Sequence, residues 1–210
     1  MKRQVEFLDV DNWNRTQTFR FYKDFDQPCF NLCANVDVTG IKKESQEKGS
    51  SFFLLSLFYA TRAANDVEHF RYRFKDNKVA VYSSIYPGCT ILYDDESFGF
   101  AYFDFNEDKD QFLDNGRKVV NLFKKGNQPL VPVAPDNGLL HFSVIPWLSF
   151  TSFKHASQSQ ADQSIPKIVF GKVTKLGEKY SMPVSVEVHH ALMDGLHVAR
   201  YFEAFESYCR

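Results

Sequence analysis

The chain has 210 residues, with few cysteines, almost no net charge and no long apolar run, and each shortage excludes something. Cys29, Cys33, Cys89 and Cys209 are its four cysteines. Cys29 and Cys33 lie four apart, but no second pair follows, so the spacing of a zinc site is missing and free structural thiols are expected. Lys and Arg number 25 against 26 Asp and Glu, interspersed, for a net charge of −1. Nothing in that balance attracts nucleic acid or an anionic membrane. No window reaches the length of a membrane span. The N-terminal MKRQVEFLDVDNW lacks the apolar core of a secretory signal, so a cytoplasmic protein is expected. There is no internal repeat, no low-complexity linker and no glycine-rich phosphate loop. Residues 1–210 therefore read as one domain.

Aromatic residues are what the chain has in excess. It holds 22 Phe and 10 Tyr against 3 Met. That many rings fill a core and leave some for an apolar ligand pocket or a subunit contact. Periodicity then places the elements. WNRTQTFRFYKDF predicts a first helix anchored by Trp13, Phe19 and Tyr22. CFNLCANVDVTG alternates as a strand. SSFFLLSLFYATRAANDV predicts a buried helix capped by Ser50 or Ser51. FRYRF and KVAVYSSI form a hairpin around Lys75, Asp76 and Asn77. CTILY and SFGFAYFDF are strands, and KDQFLDNGRKVVNLFKK is an amphipathic helix despite Gly116. QPLVPVAPDNG is a Pro-rich loop, LLHFSVIPWLSF a strand broken at Pro146, and 152–164 a polar loop. IVFGKVTKL and KYSMPVSVEVHH are strands around Gly177, and LHVARYFEAFESYC is a closing helix. This order predicts an α/β fold: a two-layer sandwich of a mixed sheet with helices packed on one side.

The chemistry concentrates in VSVEVHHALMDGLHVARYF. Val184, Val186 and Val188 alternate with Ser185, Glu187 and His189. His190 falls in step with the valines, and a polar imidazole on an apolar face needs a partner or a job. Two readings of His-X-X-X-Asp-Gly stand side by side. In one, His190 is a satisfied core histidine and Asp194 caps the last helix. In the other, His190 is a catalytic base at a strand end and Asp194 anchors its turn. An imidazole suits that role because it titrates near neutral pH.

PWLSFTSF, MPVSVEVHHALMDGLHVAR and DVDNWNRTQTFRFY together resemble the type A chloramphenicol acetyltransferases. The resemblance is close over 7–23 and 139–209 and looser but collinear between. It implies a homotrimer, with active sites between subunits, that moves acetyl from acetyl-CoA to the 3-hydroxyl of chloramphenicol. By that resemblance His190 is the general base, and Asp194 holds the active-site turn by pairing with Arg15. Ser143 steadies the oxyanion. Phe21, Tyr22, Phe30 and Phe98 line the acceptor pocket, Lys172 is a candidate contact for CoA, and no metal is implied. His189 is expected to be structural and His197 to lie at the surface or an interface. The sequence also departs from the family pattern. Val169 stands at the substrate-site position where relatives carry a threonine hydroxyl that binds a transition-state water. Met193 replaces a frequent Cys, and Asp26 stands near an apolar position of the drug pocket. The catalytic groups are kept better than the acceptor pocket, so an acetyltransferase for another hydroxyl or amine acceptor is the first rival. A non-catalytic binder of an apolar molecule is the second. A detached acyltransferase core of a 2-oxo acid dehydrogenase complex is the third, although such a core is expected to carry a lipoyl domain and a flexible linker, and these 210 residues contain neither.

Overall fold

A computed structural model describes residues 4–124, 136–156 and 163–210. Most of the Pro-rich 128–138 loop and the middle of the 152–164 loop lie outside the described residues. Among the described residues no helix is long and apolar enough to cross a membrane.

The chain is a mixed α/β protein. Strands β1 (Val5–Phe7), β4 (Lys78–Tyr82) and β3 (Tyr72–Lys75) make a small antiparallel sheet. The larger, seven-stranded sheet runs β2 (Cys29–Asp37), β10 (Lys179–His189), β8 (Lys167–Phe170), β7 (Leu139–Val144), β5 (Tyr86–Leu92) and β6 (Phe98–Tyr102), with β9 (Thr174–Leu176) beside β10. Its β5–β7 and β7–β8 pairs are parallel and the rest antiparallel. The expected β3–β4 hairpin turns at Asp76 and Asn77, both at positive φ, which is the backbone such a two-residue turn requires. Pro183 sits inside β10 without breaking it. Its carbonyl accepts from Gly171, but it has no N–H to return, so the β8–β10 ladder stops there.

Helices α1 (Thr16–Tyr22), α2 (Thr39–Lys48), α3 (Phe52–Asp66), α4 (Lys109–Lys124) and α5 (Gly195–Cys209) complete the described elements, with a 3₁₀ turn at Glu68–Arg71. α3 is apolar around most of its circumference and is the buried helix of the core. Leu54, Leu55, Leu57 and Phe58 are nearly or fully enclosed there with Val184, Val186 and Val188 of β10 and Phe205 of α5. Each such side chain contributes roughly 1.5–3 kcal/mol. Ser51 caps α3, its hydroxyl accepting from the Leu54 amide. Gly116 costs α4 some helix propensity, yet a Cβ there would lie 2.8 Å from Leu54 Cδ2, so the glycine lets α4 approach α3. α2 was not foreseen. It is polar, with Ile41 its one buried residue, and the predicted strand ends at Asp37 before it.

The polar face of β10 is also enclosed. Ser185 accepts from Asn31 at 2.7 Å, and Glu187 pairs with Lys167 at 3.2 Å, both charges almost fully buried. A second, smaller core joins Tyr72 and Val79 of the small sheet to Leu192, with Trp13 and Phe19 packed against it. Arg73 of β3 is fully buried and donates to four carbonyls: Phe70 at 2.7 Å, Tyr72 at 2.6 Å, Asn137 at 2.9 Å and Leu139 at 2.6 Å. Burial pulls its guanidinium down to about 9.

Candidate active site

The turn after β10 carries the first group. His190 leaves the strand with its amide bonded to Pro28 O at 2.9 Å. Its ring lies flat against Tyr22, centroids 4.0 Å apart and planes 8° apart, and tilted against Phe30 at 4.8 Å. Asp194 serves both readings at once. It caps α5, its Oδ1 accepting from the Leu196 amide at 3.2 Å, and its Oδ2 forms an ion pair with Arg15 Nη1. Arg15 Nη2 also donates to the His190 carbonyl at 3.2 Å, so one guanidinium ties both ends of the 190–194 turn. Burial would raise the Asp194 carboxyl, but His197, Arg15 and the Leu196 amide outweigh it and hold the group below its ordinary value. His190 Nδ1 is buried and has no hydrogen-bond partner among the described residues. A buried nitrogen left unpaired costs about 1–3 kcal/mol. Phe21, predicted for the same pocket, packs on Tyr22 and Phe25 and is 63% exposed.

Ser143 lies elsewhere. It lies one residue before the end of β7, on the wall of a cavity of ≈ 840 Å³ formed with Phe52, Phe53, Thr90, Phe98, Trp147 and Phe153. Lys172 stands exposed on the same wall. Val169 does not line the cavity. It is fully buried in β8, paired on one side with Ser143 and on the other with Ser185. That register measures the gap between the two groups. Ser143 is level with Ser185 two strands away, and His190 lies five positions beyond Ser185. Strand spacing and rise then separate the two Cα atoms by about 19 Å. No residue of 15–30 or 189–194 lines the Ser143 cavity.

Five predicted residues thus gather at one corner: His190, Asp194, Arg15, Tyr22 and Phe30. Ser143, Phe98 and Lys172 gather at another. His197, expected at the surface or an interface, is 6% exposed. Its Nδ1 accepts from the Asp194 amide at 3.1 Å. The sequence signal for this was the capping-box spacing, in which the side chain three residues into a helix bonds back to the cap amide. His69, which had no motif to mark it, stacks on His197 with centroids 3.6 Å apart. Among the described residues no cluster of His, Cys, Asp and Glu could hold a metal ion.

The family model for chloramphenicol acetyltransferase matches residues 4–206. The chain belongs to the chloramphenicol acetyltransferase family. It is 32% identical over 206 residues to chloramphenicol acetyltransferase 3 of Escherichia coli, covering 96% of this chain and 95% of that one. It is 30% identical over 207 residues to a chloramphenicol acetyltransferase of Campylobacter coli, covering 97% of each. A solved chloramphenicol acetyltransferase superposes with a TM-score of 0.92 at 26% identity, over 99% of this chain and 100% of that one. The truncated catalytic core of a 2-oxoacid dehydrogenase complex from Thermoplasma acidophilum shares the fold at a TM-score of 0.65 and 11% identity. Membership in the chloramphenicol acetyltransferase family makes the chain an acyltransferase.

Proposed function

We propose that the protein is a cytoplasmic antibiotic-resistance enzyme, a single domain over 1–210, that transfers acetyl from acetyl-CoA to the 3-hydroxyl of chloramphenicol. The observation that carries the reading is the His190 turn: an imidazole clamped between two rings, on a loop pinned at both ends by Arg15 and Asp194. His190 takes the proton of the acceptor hydroxyl as its oxygen attacks the thioester carbonyl. Negative charge moves to the carbonyl oxygen, where the Ser143 hydroxyl donates a hydrogen bond. The tetrahedral intermediate collapses, the C–S bond breaks, and His190 returns the proton to the CoA sulfur. The protein's main task is holding two substrates in line. Phe98 and the rings around Ser143 offer apolar walls to an aromatic acceptor, and Tyr22, Phe21 and Phe30 close on the reacting hydroxyl from the His190 side. Lys172, a cation on the cavity wall, contacts CoA.

The gap of about 19 Å between His190 and Ser143 supports placing the site between copies, His190 of one subunit facing the Ser143 cavity of the next. Two further features favour a homotrimer of this kind. Among the described residues β2 is an edge strand of nine residues, a long rim of a sort that single chains normally protect. Large apolar side chains also stand exposed at both corners, Phe21 and Phe25 against Tyr22 beside His190, and Trp147 and Leu148 near Ser143. A head-to-tail contact repeated around a threefold axis closes without leaving any half-site unmatched.

A second reading, a different acceptor, is favoured by Val169. It stands beside Ser143 in the sheet, where relatives of the resemblance carry a hydroxyl, and brings none. The deciding test is CoA release from acetyl-CoA, followed with a thiol reagent, with and without chloramphenicol. Chloramphenicol-dependent release in wild type, lost in His190→Ala, is expected. Release with another acceptor and none with chloramphenicol would retain the mechanism and replace the substrate.

A further inference from the structure

Behind the Asp194 carboxylate lies a pair of imidazoles that the acetyl-transfer steps do not use. His197 Nδ1 is 3.1 Å from the Asp194 amide nitrogen and 3.0 Å from Asp194 Oδ1. These two contacts exclude each other. A neutral Nδ1 with its lone pair accepts from the amide and closes the capping box. A protonated Nδ1 donates to the carboxylate and releases the amide. His69, from the 3₁₀ turn, stacks on His197 at 3.6 Å with planes 26° apart, so a proton on one ring opposes a proton on the other.

The surroundings favour the neutral pair. Trp13 and Tyr72 pack against His69 with ring centroids at 6.4 and 5.0 Å. Arg15 and Arg200 present positive charge to both imidazoles, and Asp194 presents the opposing negative charge. Glu68 of the 3₁₀ turn is engaged by the Tyr72 hydroxyl at 3.1 Å. Burial, helped by the neighbouring imidazole and by Arg15, pushes His69 down to about 4. Burial likewise lowers His197, against the pull of Asp194.

We propose that His197, backed by His69, is a positioning residue for His190. While neutral it leaves the Asp194 carboxylate to Arg15, and Arg15 holds the His190 carbonyl. Protonation draws Oδ1 toward the imidazolium, opens the capping box and loosens the turn that carries the base. The chain of contacts is His69, His197, Asp194, Arg15, His190, and the inference rests on reading His190 as that base.

Nitrogen-15 NMR of the histidine-labelled protein tests it without turnover. At neutral pH the His197 Nδ1 resonance should be that of an unprotonated, hydrogen-bond-accepting nitrogen, with the proton on Nε2. A proton on Nδ1 would overturn the proposal, whichever acceptor the enzyme uses. Kinetics supply the second arm. Gln at 197 can accept from the same amide but cannot take a proton, and Leu can do neither. His197→Gln should keep kcat within about threefold of wild type, and His197→Leu should lose about tenfold or more, with KM for both substrates unchanged. On the acid side, log kcat of wild type should steepen from a slope of one to a slope of two once the pH falls below the ordinary imidazole range and His197 takes its proton. In His197→Gln the slope should stay at one. Equal slopes in the two proteins, or equal losses in Gln and Leu, would reject the role. If the Leu variant does not fold, the Gln profile and the resonance still decide. Absence of chloramphenicol turnover in wild type would count against the acceptor reading alone, and the resonance would still decide this one.

Discussion

The His190 corner and the Ser143 cavity are built by opposite means. At the corner, position is set by charge and by short polar contacts: Arg15 on Asp194, Arg15 on the His190 carbonyl, His197 on the Asp194 amide. At the cavity, position is set by strand register and apolar walls, and among the described residues Lys172 is the one charged residue lining it. The difference suits the roles proposed for the two groups. A base changes its charge during the reaction, so its surroundings must fix both its place and its proton affinity. An oxyanion donor stays neutral and needs to be rigid, which a sheet supplies.

The strongest way to break the comparison is to remove each group in turn. His190→Ala should lower kcat by about 10⁴-fold with the thermal transition unchanged, since acid–base groups contribute up to that amount. A ratio near ten would mean that the imidazole is not the base. Mixing is the next largest effect. His190→Ala and Ser143→Ala, each nearly inactive alone, should regain about a quarter of wild-type activity when unfolded and refolded together, because a quarter of the interfaces then join an intact His190 to an intact Ser143. No recovery would place both groups in one chain's site and contradict the register. Ser143→Ala alone should cost about 10²-fold in kcat with KM nearly unchanged; a change confined to KM would make it a binding residue. Asp194→Ala should lose the cap, about 1 kcal/mol of stability, along with Arg15's partner, read by denaturant titration beside kcat. Val169→Thr should raise kcat a few-fold at most, and a large gain would restore the water site as a main contributor.

Buried histidines in both regions make stability depend on pH. Burial lowers His69, His155 and His189 to about 4 from the ordinary 6.5. The unfolded chain takes up these protons first, so stability is complete above 6.5 and falls as the pH drops toward 4. Thermal transitions measured across that window should decline, and His69→Gln should flatten the curve.

Much of this molecule was legible in its sequence because many elements obey one local rule. α3 is apolar all round, the 72–82 hairpin has a turn dipeptide suited to positive φ, and β10 alternates. α2 was hidden because it buries one side chain and so carries no apolar stripe. The enclosed polar face of β10 was hidden because Glu187 is neutralised by Lys167, a residue from another strand. Arg15 came from family resemblance alone; its partner is 179 positions away. The separation of His190 from Ser143 needed strand order, which periodicity does not encode. For the same reason no local pattern could bring His69 to His197.

Arg73 has a bearing on assembly that its burial alone does not suggest. Its four carbonyl partners bind the small sheet, which backs the His190 turn through Tyr72 and Leu192, to the entrance of β7, which carries Ser143 near its far end. It therefore works as a gauge block between the two ends of one chain. In the proposed trimer, any error in that span would recur at every joint and add up around the circle. A single guanidinium, held by backbone rather than by a carboxylate, keeps the tolerance independent of salt.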